Sequence, residues 1–493
     1  MRSGARTCHL GIDVGTASAR VALFDARDGA LVAEQVEPLR PIRSGLRHEL
    51  DFRRTWTAVE RALSAIEAAV GSAQGRTRPG ESVRRPRREV ATIGVASTAS
   101  TIVALDDHMR PIGNGLQWAD HRASAEADAI RATRHPVLSR MLGQVSPEWG
   151  LPKLAYLWRT RSTTPIAKVV ELLEWINFRL TGRLVANAGI REWGWCVDDE
   201  GAWPHDLVDL LDLSVALALV PVHALPTGAP IGPVSRHIGS RFPMLSGATV
   251  VMGGMDSYVA ALGQGVAKSG RMAISVGSSS SIVAGVEMGA ARGRMYGPMR
   301  RILPDGAAYW HGGQSTAGLA VDWVTELLGG DATALEASAA RLPLGSDGLV
   351  FRETLLDRRT PDPQAGLVGV WSGLSLSHTA GHVYRSVLEG VAFGARHASA
   401  PLRPAEIVVT GGLVESRLFG TLLAAAFDRP VGLLRHPRAA AFGAAFAHDA
   451  HRAADLNPVT DWVEPEGRSA AGAMRRYAAL HRLPLSVGAA AGR

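Results

Sequence analysis

Three observations predict an α/β protein in two parts: strands that alternate with helices, a length of 493 residues, and one hairpin pattern that occurs twice. The length exceeds what one ordinary core organises, so two or three domains are expected. The segment Cys8 to Phe24 reads as strand, tight turn, strand. His9-Leu10-Gly11-Ile12 leads in, Asp13 to Ala17 turns, and Ala19 to Phe24 leads out. Its Gly and small residues let the backbone approach a ligand. Arg271 to Ala284 repeats the pattern, with a strand at Met272 to Val276, a turn at Gly277-Ser278-Ser279 and a strand from Ser281. The repeat is weak, but it implies two similarly folded halves, 1–246 and 247–493. The second opens on the strand Ala248 to Met252, which ends in Gly253-Gly254, with a helix from Asp256 to Leu262.

Other elements follow from periodicity. Trp56, Val59, Leu63, Ile66 and Val70 recur at helical spacing, and Val90 to Ala96 is a short buried strand. Downstream, Glu406 to Thr410 is a strand, Gly411-Gly412 a turn and Ser416 to Phe427 a helix, with a further helix over Ala439 to His448.

Apolar residues make up 46% of the chain and charged residues 20%, the balance of a soluble globular protein with a large core. The net charge of +7 raises nucleic acid or a membrane surface as partners. Much of the excess lies in one run, Arg76 to Arg88, set among Gly, Pro and Ser, which reads as a solvated loop; neither partner is expected. Cys8 and Cys196 are the only cysteines, so a disulfide framework or zinc site has no support and a reducing compartment fits. The apolar run at Leu10-Gly11-Ile12 stops at Asp13 and is no signal-peptide core. No stretch nears ~18 apolar residues, so a cytoplasmic protein without a membrane span is expected.

The chemistry begins with the two hairpin turns. Exposed backbone N–H groups with Thr or Ser hydroxyls suit phosphate oxygens, which singles out Gly15, Thr16, Gly277, Ser278 and Ser279. Asp13 lies inside the first turn, where a Mg²⁺ could bridge acid and phosphate; the plainer role is an Asp that caps its own turn. Asp256 follows a strand and two glycines, which places it at the carboxyl end of a sheet, where α/β proteins bind ligands. It is a candidate to accept the proton of an attacking hydroxyl, or an N-cap for the next helix. Trp118-Ala119-Asp120-His121-Arg122 gathers an aromatic, a carboxylate, an imidazole and a guanidinium, groups that suit a sugar. Trp149, Lys153 and Gln314 are further candidate contacts.

Taken in order, these blocks resemble the FGGY family of carbohydrate kinases over nearly the full length. The matches are Leu10 to Thr16, Trp118 to Arg122 as W-x-D-x-R, Ser146-Pro147-Glu148-Trp149 through Lys153, Gly253 to Asp256, Ile274 to Ser279, Gly312 to Ser315 and Gly411-Gly412. The resemblance implies an actin-like (ribonuclease-H-like) duplicated fold, two domains around a central cleft, with the sugar on the first domain and ATP on the second. It implies Asp256 as catalytic base, with Gly411, Gly412 and Ser416 on the nucleotide side and the helix Ala439 to Ala445 following. Trp118, Asp120, Arg122, Lys153, His311 and Gln314 would contact the sugar, and Asp13 would hold Mg²⁺. The Ser146 to Lys153 block and Gly373 to Thr379 look most like ribulokinase-like pentulose kinases. Two positions depart from that pattern: Ala96 where an Asp is usual, and His311 where a Glu is common.

The sequence thus points to ATP-dependent phosphorylation of a ketopentose or related polyol, with ATP and Mg²⁺ as cofactors, a small-molecule sugar as partner and a homodimer as one assembly left open. Xylulose, a pentitol, a tetritol or glycerol are alternative substrates. An actin-like switch ATPase and a catalytically weak sugar sensor are the rival functions.

Overall fold

The computed structural model describes residues 6–71, 88–161, 164–364, 367–465 and 470–483. The basic run from Arg76 to Arg87 lies outside them, while Arg88 opens a strand.

The chain divides into two compact units. The first comprises 1–265, 299–307 and 439–456; the second comprises 266–298, 308–438 and 457–493. The first unit is built on a six-stranded sheet of β1 (Arg6–Val14), β2 (Ser18–Asp25), β3 (Leu31–Pro38), β4 (Arg88–Ser97), β5 (Pro230–Pro233) and β6 (Thr249–Met255), in the order β5-β6-β4-β1-β2-β3. β1, β2 and β3 form an antiparallel meander, and β4 and β6 join β1 in parallel. The parallel strands read as unbroken apolar runs, as strands covered on both faces must. Ile12, Val14, Ile93, Val95, Val250 and Met252 are all fully buried. The apolar stripe predicted from Trp56 to Val70 lies on helix α1 (Phe52–Gly71), with Trp56, Val59, Leu63 and Ile66 buried. α2 (Gly150–Thr160) and α3 (Leu172–Thr181) follow, and α4 (Asp256–Gly263) leaves the end of β6. A smaller sheet of the segments 42–44, 47–50, 115–116, 102–105 and 168–171 carries Gly115 and Leu116, just ahead of Trp118.

The second unit has a seven-stranded sheet. Its strands are β7 (Arg271–Val276), β8 (Ser280–Gly285), β9 (Tyr296–Met299), β10 (Tyr309–Gly312), β11 (Glu406–Thr410), β12 (Val431–Leu434) and β13 (Val459–Val463), in the order β9-β10-β8-β7-β11-β12-β13. α5 (Gly318–Leu327), α6 (Ala380–Ala398), α7 (Arg417–Phe427) and α9 (Ala471–His481) belong to this unit, and α8 (Ala439–Ala445) to the first. The β7-turn-β8 hairpin repeats the β1-turn-β2 hairpin, and each pairs its first strand in parallel with a later one, β11 and β4.

Two assignments from sequence change. The strand predicted to open the second half is β6, which pairs with β4 of the first sheet, so Asp256 belongs to the first unit and the division at 246/247 falls within it. The further helix predicted over Ala439 to His448 is α8, which packs on the first sheet rather than in the second half. Gly11 and Gly94 make this approach possible: a Cβ on either would stand 1.9 or 1.8 Å from the carbonyl oxygens of Ala441 and Ala444. No local sequence signal reports such distant pairings.

Candidate active site

In the first unit, β1, β4 and β6 end at a common level. Asp13 and Gly254 both register with Ala96, and Val14 and Met255 with Ser97. Asp256 follows directly as the first residue of α4; Met255 holds the N-cap position, so Asp256 is not the cap. Its Oδ1 accepts the Ser257 N–H at 2.6 Å. Burial and the charge of Asp256 push the Asp13 carboxyl up to about 7, opposed by Arg20, whose own guanidinium is paired with Glu34 at 2.6 Å. Two neighbouring carboxylates are the kind of donor set that suits a divalent cation.

The turn after β1 is closed by the Gly15 N–H donating to the Ser18 carbonyl at 3.0 Å. The Trp118 to Arg122 block grips this turn. Trp118 Nε1 donates to Thr16 Oγ1 at 2.9 Å, and Gln117 Nε2 to the Thr16 carbonyl at 3.3 Å. Asp120 is fully buried and accepts from the His48 N–H at 2.9 Å and from Arg122. The Arg122 guanidinium reaches Asp120 at 2.7 Å and Glu49 at 2.8 Å, and lies over the Tyr156 ring. Asp120 therefore positions Arg122 rather than presenting its own oxygens, while Trp118 and Arg122 remain partly exposed.

Lys153 has no exposed surface. Its Nζ donates to the carbonyls of Ser100, Gln117 and Trp118 at 2.7, 2.6 and 3.1 Å. An ammonium has three donors, and all three are engaged with backbone, so the expected sugar contact is replaced by an internal one. Burial pulls this ammonium down to about 7, with Glu148, Asp120 and Glu171 opposing. The three carbonyls favour the charged form, because a neutral amine has only two N–H groups.

In the second unit, the turn Gly277-Ser278-Ser279 is closed by Gly277 N–H to Ser279 carbonyl at 3.0 Å, with Gly277 and Ser278 exposed. The Gly277 and Ser278 carbonyls accept from the N–H groups of Gly318, Ala317 and Leu319 at 2.9–3.1 Å, so the start of α5 fixes the turn. Gly411 has φ +110°, and a Cβ there would lie 2.2 Å from the Val276 carbonyl oxygen; Gly412 has open space. Ser416 caps α7, accepting from the Phe419 N–H at 3.0 Å and donating to Glu336 at 2.6 Å, which engages the hydroxyl expected for a nucleotide.

His311 and Gln314 also lie in the second unit, away from the Trp118 block in sequence and sheet. His311 is buried, shares a hydrogen bond of 3.1 Å with Ser281, and burial pulls its imidazole down to about 3. Gln314 Nε2 donates to Glu353 and the Val391 carbonyl, both at 3.1 Å, and its Oε1 accepts from Ser280 at 2.8 Å. Both N–H groups and the oxygen hold the interior together, and the expected sugar contact gives way to that role. Gln117, Ser100 and Thr101 carry no motif signal in the sequence; the structure alone assigns them to this network.

Paired hairpin turns on duplicated sheets, with an acid at the strand ends of the first, define the class as an actin-like α/β protein. Family models agree. Residues 8–263 match the N-terminal domain of the FGGY family of carbohydrate kinases and residues 272–448 its C-terminal domain, so the chain belongs to that family. It is 25% identical over 434 residues to ribulokinase 2 of Staphylococcus saprophyticus, covering 79% of this chain and 77% of that one. It is 26% identical over 442 residues to xylulose kinase of Escherichia coli, covering 84% of each. The structure superposes on xylulose kinase from Rhodospirillum rubrum with a TM-score of 0.80 at 27% identity, covering 96% and 98%. The chain is a carbohydrate kinase, a phosphotransferase with an alcohol group as acceptor. Among the described residues no helix is long and apolar enough to cross a membrane.

Proposed function

We propose that this kinase transfers the γ-phosphoryl group of ATP to a hydroxyl of a ketopentose such as ribulose or xylulose, or of a related polyol. The observation that carries this is Asp256 at the end of β6, beside Asp13 and level with the first phosphate turn. The names of the ribulokinase and xylulose kinase relatives support the acceptor class.

Asp256 accepts the proton of the acceptor hydroxyl as its oxygen attacks the γ-phosphorus; the bond to the bridging oxygen breaks and ADP leaves. Thr16 donates to phosphate: its oxygen already accepts from Trp118, which leaves the hydroxyl hydrogen for a ligand. Arg122, fixed by Asp120 and Glu49, is the sugar-side cation. Gly277, Ser278 and Ser279 are offered to the phosphates of ATP, and Gly411 and Gly412 to its adenosine. Asp13, with Asp256 beside it, would hold Mg²⁺, which when bound neutralises phosphate charge.

A coupled ADP-release screen over pentuloses, pentitols, tetritols and glycerol tests the proposal. ADP release that requires a pentulose is expected. ADP release without any sugar would make the chain a switch ATPase, and sugar binding without turnover would make it a sensor.

A further inference from the structure

We propose that Lys153 is a positioning residue that acts through Gln117 and Trp118 on Thr16, holding the Thr16 hydroxyl as a phosphate donor; this rests on the kinase function proposed above. The connection is continuous within the first unit. The Lys153 ammonium gathers three carbonyls from two separate segments, Ser100 on one side and Gln117 and Trp118 on the other. The side chains of those same two residues, Gln117 and Trp118, are the ones that bind Thr16, one at its carbonyl and one at its hydroxyl. Thr101 Oγ1 adds a third tie by accepting the Trp118 N–H at 3.2 Å.

Three carbonyl oxygens converging on one point repel each other, so they stay together only while a cation or strong donor lies between them. Without the ammonium, the backbone at 117–118 loses the charge that draws the Gln117 and Trp118 carbonyls towards that of Ser100. The indole N–H then no longer meets Thr16 Oγ1, and the Thr16 hydroxyl is free to turn. Burial supports this role over a substrate contact: Lys153 and Gln117 have no exposed surface. The segment has other ties, since the Gln117 N–H donates to the His48 carbonyl and the Gln117 carbonyl accepts the Asp120 N–H, both at 2.9 Å, but only the ammonium joins the Gln117 and Trp118 carbonyls to that of Ser100.

The roles separate in steady-state kinetics. Lys153→Met keeps the length of the side chain and removes every donor. The positioning role predicts a kcat lower by about 10–100-fold with the sugar KM within about 3-fold of wild type, since a small misplacement acts on the transition state. Trp118→Phe, which removes the indole donor, is expected to lower kcat in the same way. The double variant is expected to be no worse than Lys153→Met alone, because both break one connection. A sugar KM raised ~10-fold or more with kcat retained, or fully additive losses, would overturn the inference. If Lys153→Met fails to fold, Trp118→Phe decides: unchanged kcat overturns the inference. Wild-type protein that turns over no sugar overturns the kinase proposal first and this inference with it.

Discussion

Asp13 and Asp256 stand at the ends of two parallel strands separated only by β4, and the charge of Asp256 helps hold the Asp13 carboxyl up to about 7. Two such acids resist ionising together. A divalent cation would relieve that repulsion, which is the proposed reason for the pair's place beside the first hairpin turn.

Asp13→Asn removes half of this charge and is expected to raise the Mg²⁺ concentration for half-maximal turnover by about 10-fold or more. A magnesium titration at saturating ATP and sugar measures it. An unchanged titration would remove Asp13 from the metal site.

Gly411 and Gly412 are adjacent but predict opposite outcomes. Gly411→Ala sets a Cβ 2.2 Å from the Val276 carbonyl oxygen at φ +110°, which forces β7 and β11 apart. A loss of ~3 kcal/mol or more is expected in denaturant unfolding. Gly412→Ala meets open space and is expected to leave stability within about 0.5 kcal/mol, so any rise in its ATP KM reports on the nucleotide alone.

Ala96 sits in the row between Asp13 and Gly254, packed among Val259, Ala444 and Ala440. Ala96→Asp buries a carboxylate among these apolar neighbours. The expected result is a loss of about 3 kcal/mol or more in urea unfolding, not a new sugar preference. Wild-type stability with an altered sugar profile would show that the site accepts an acid.

Much of the architecture is legible in the sequence, and what is not has one cause. The two hairpins were readable because strand, turn and strand are contiguous, and α1 because its apolar spacing is local. The strand order was not. β6 looks like the start of a second half because the repeated hairpin follows it, yet its partner β4 lies some 150 residues earlier. The candidate site divides likewise. Asp13, Thr16 and Asp256 announce themselves by position next to glycines. Lys153, Asp120, Gln314 and Ser416 were visible as polar residues in the right blocks, but their hydrogen-bond partners are remote in sequence or belong to backbone, which turns expected ligand contacts into supports.

Glu171 and Glu174 give the fold a pH dependence. They cap α3 reciprocally and are almost fully buried, and burial first of all pushes them up to about 8 and about 7. A carboxyl raised in the folded state favours folding most below its ordinary value near 4.5, and that contribution is lost as pH rises towards 8. Glu171→Gln stays neutral and keeps an acceptor for Trp195 Nε1, which donates to Glu171 at 2.7 Å. Between pH 5 and pH 8, its stability relative to wild type is expected to improve by about 2–4 kcal/mol, read from unfolding curves at each pH. Parallel pH profiles for the two proteins would contradict this.

The proposed kinase chemistry turns on Asp256 taking the acceptor's proton. The most direct measurement is sugar-dependent ADP release by Asp256→Asn, alongside its ATP affinity by calorimetry. Turnover lower by ~100-fold or more is expected, with ATP binding within about 3-fold of wild type. Near-normal turnover in that variant would contradict it.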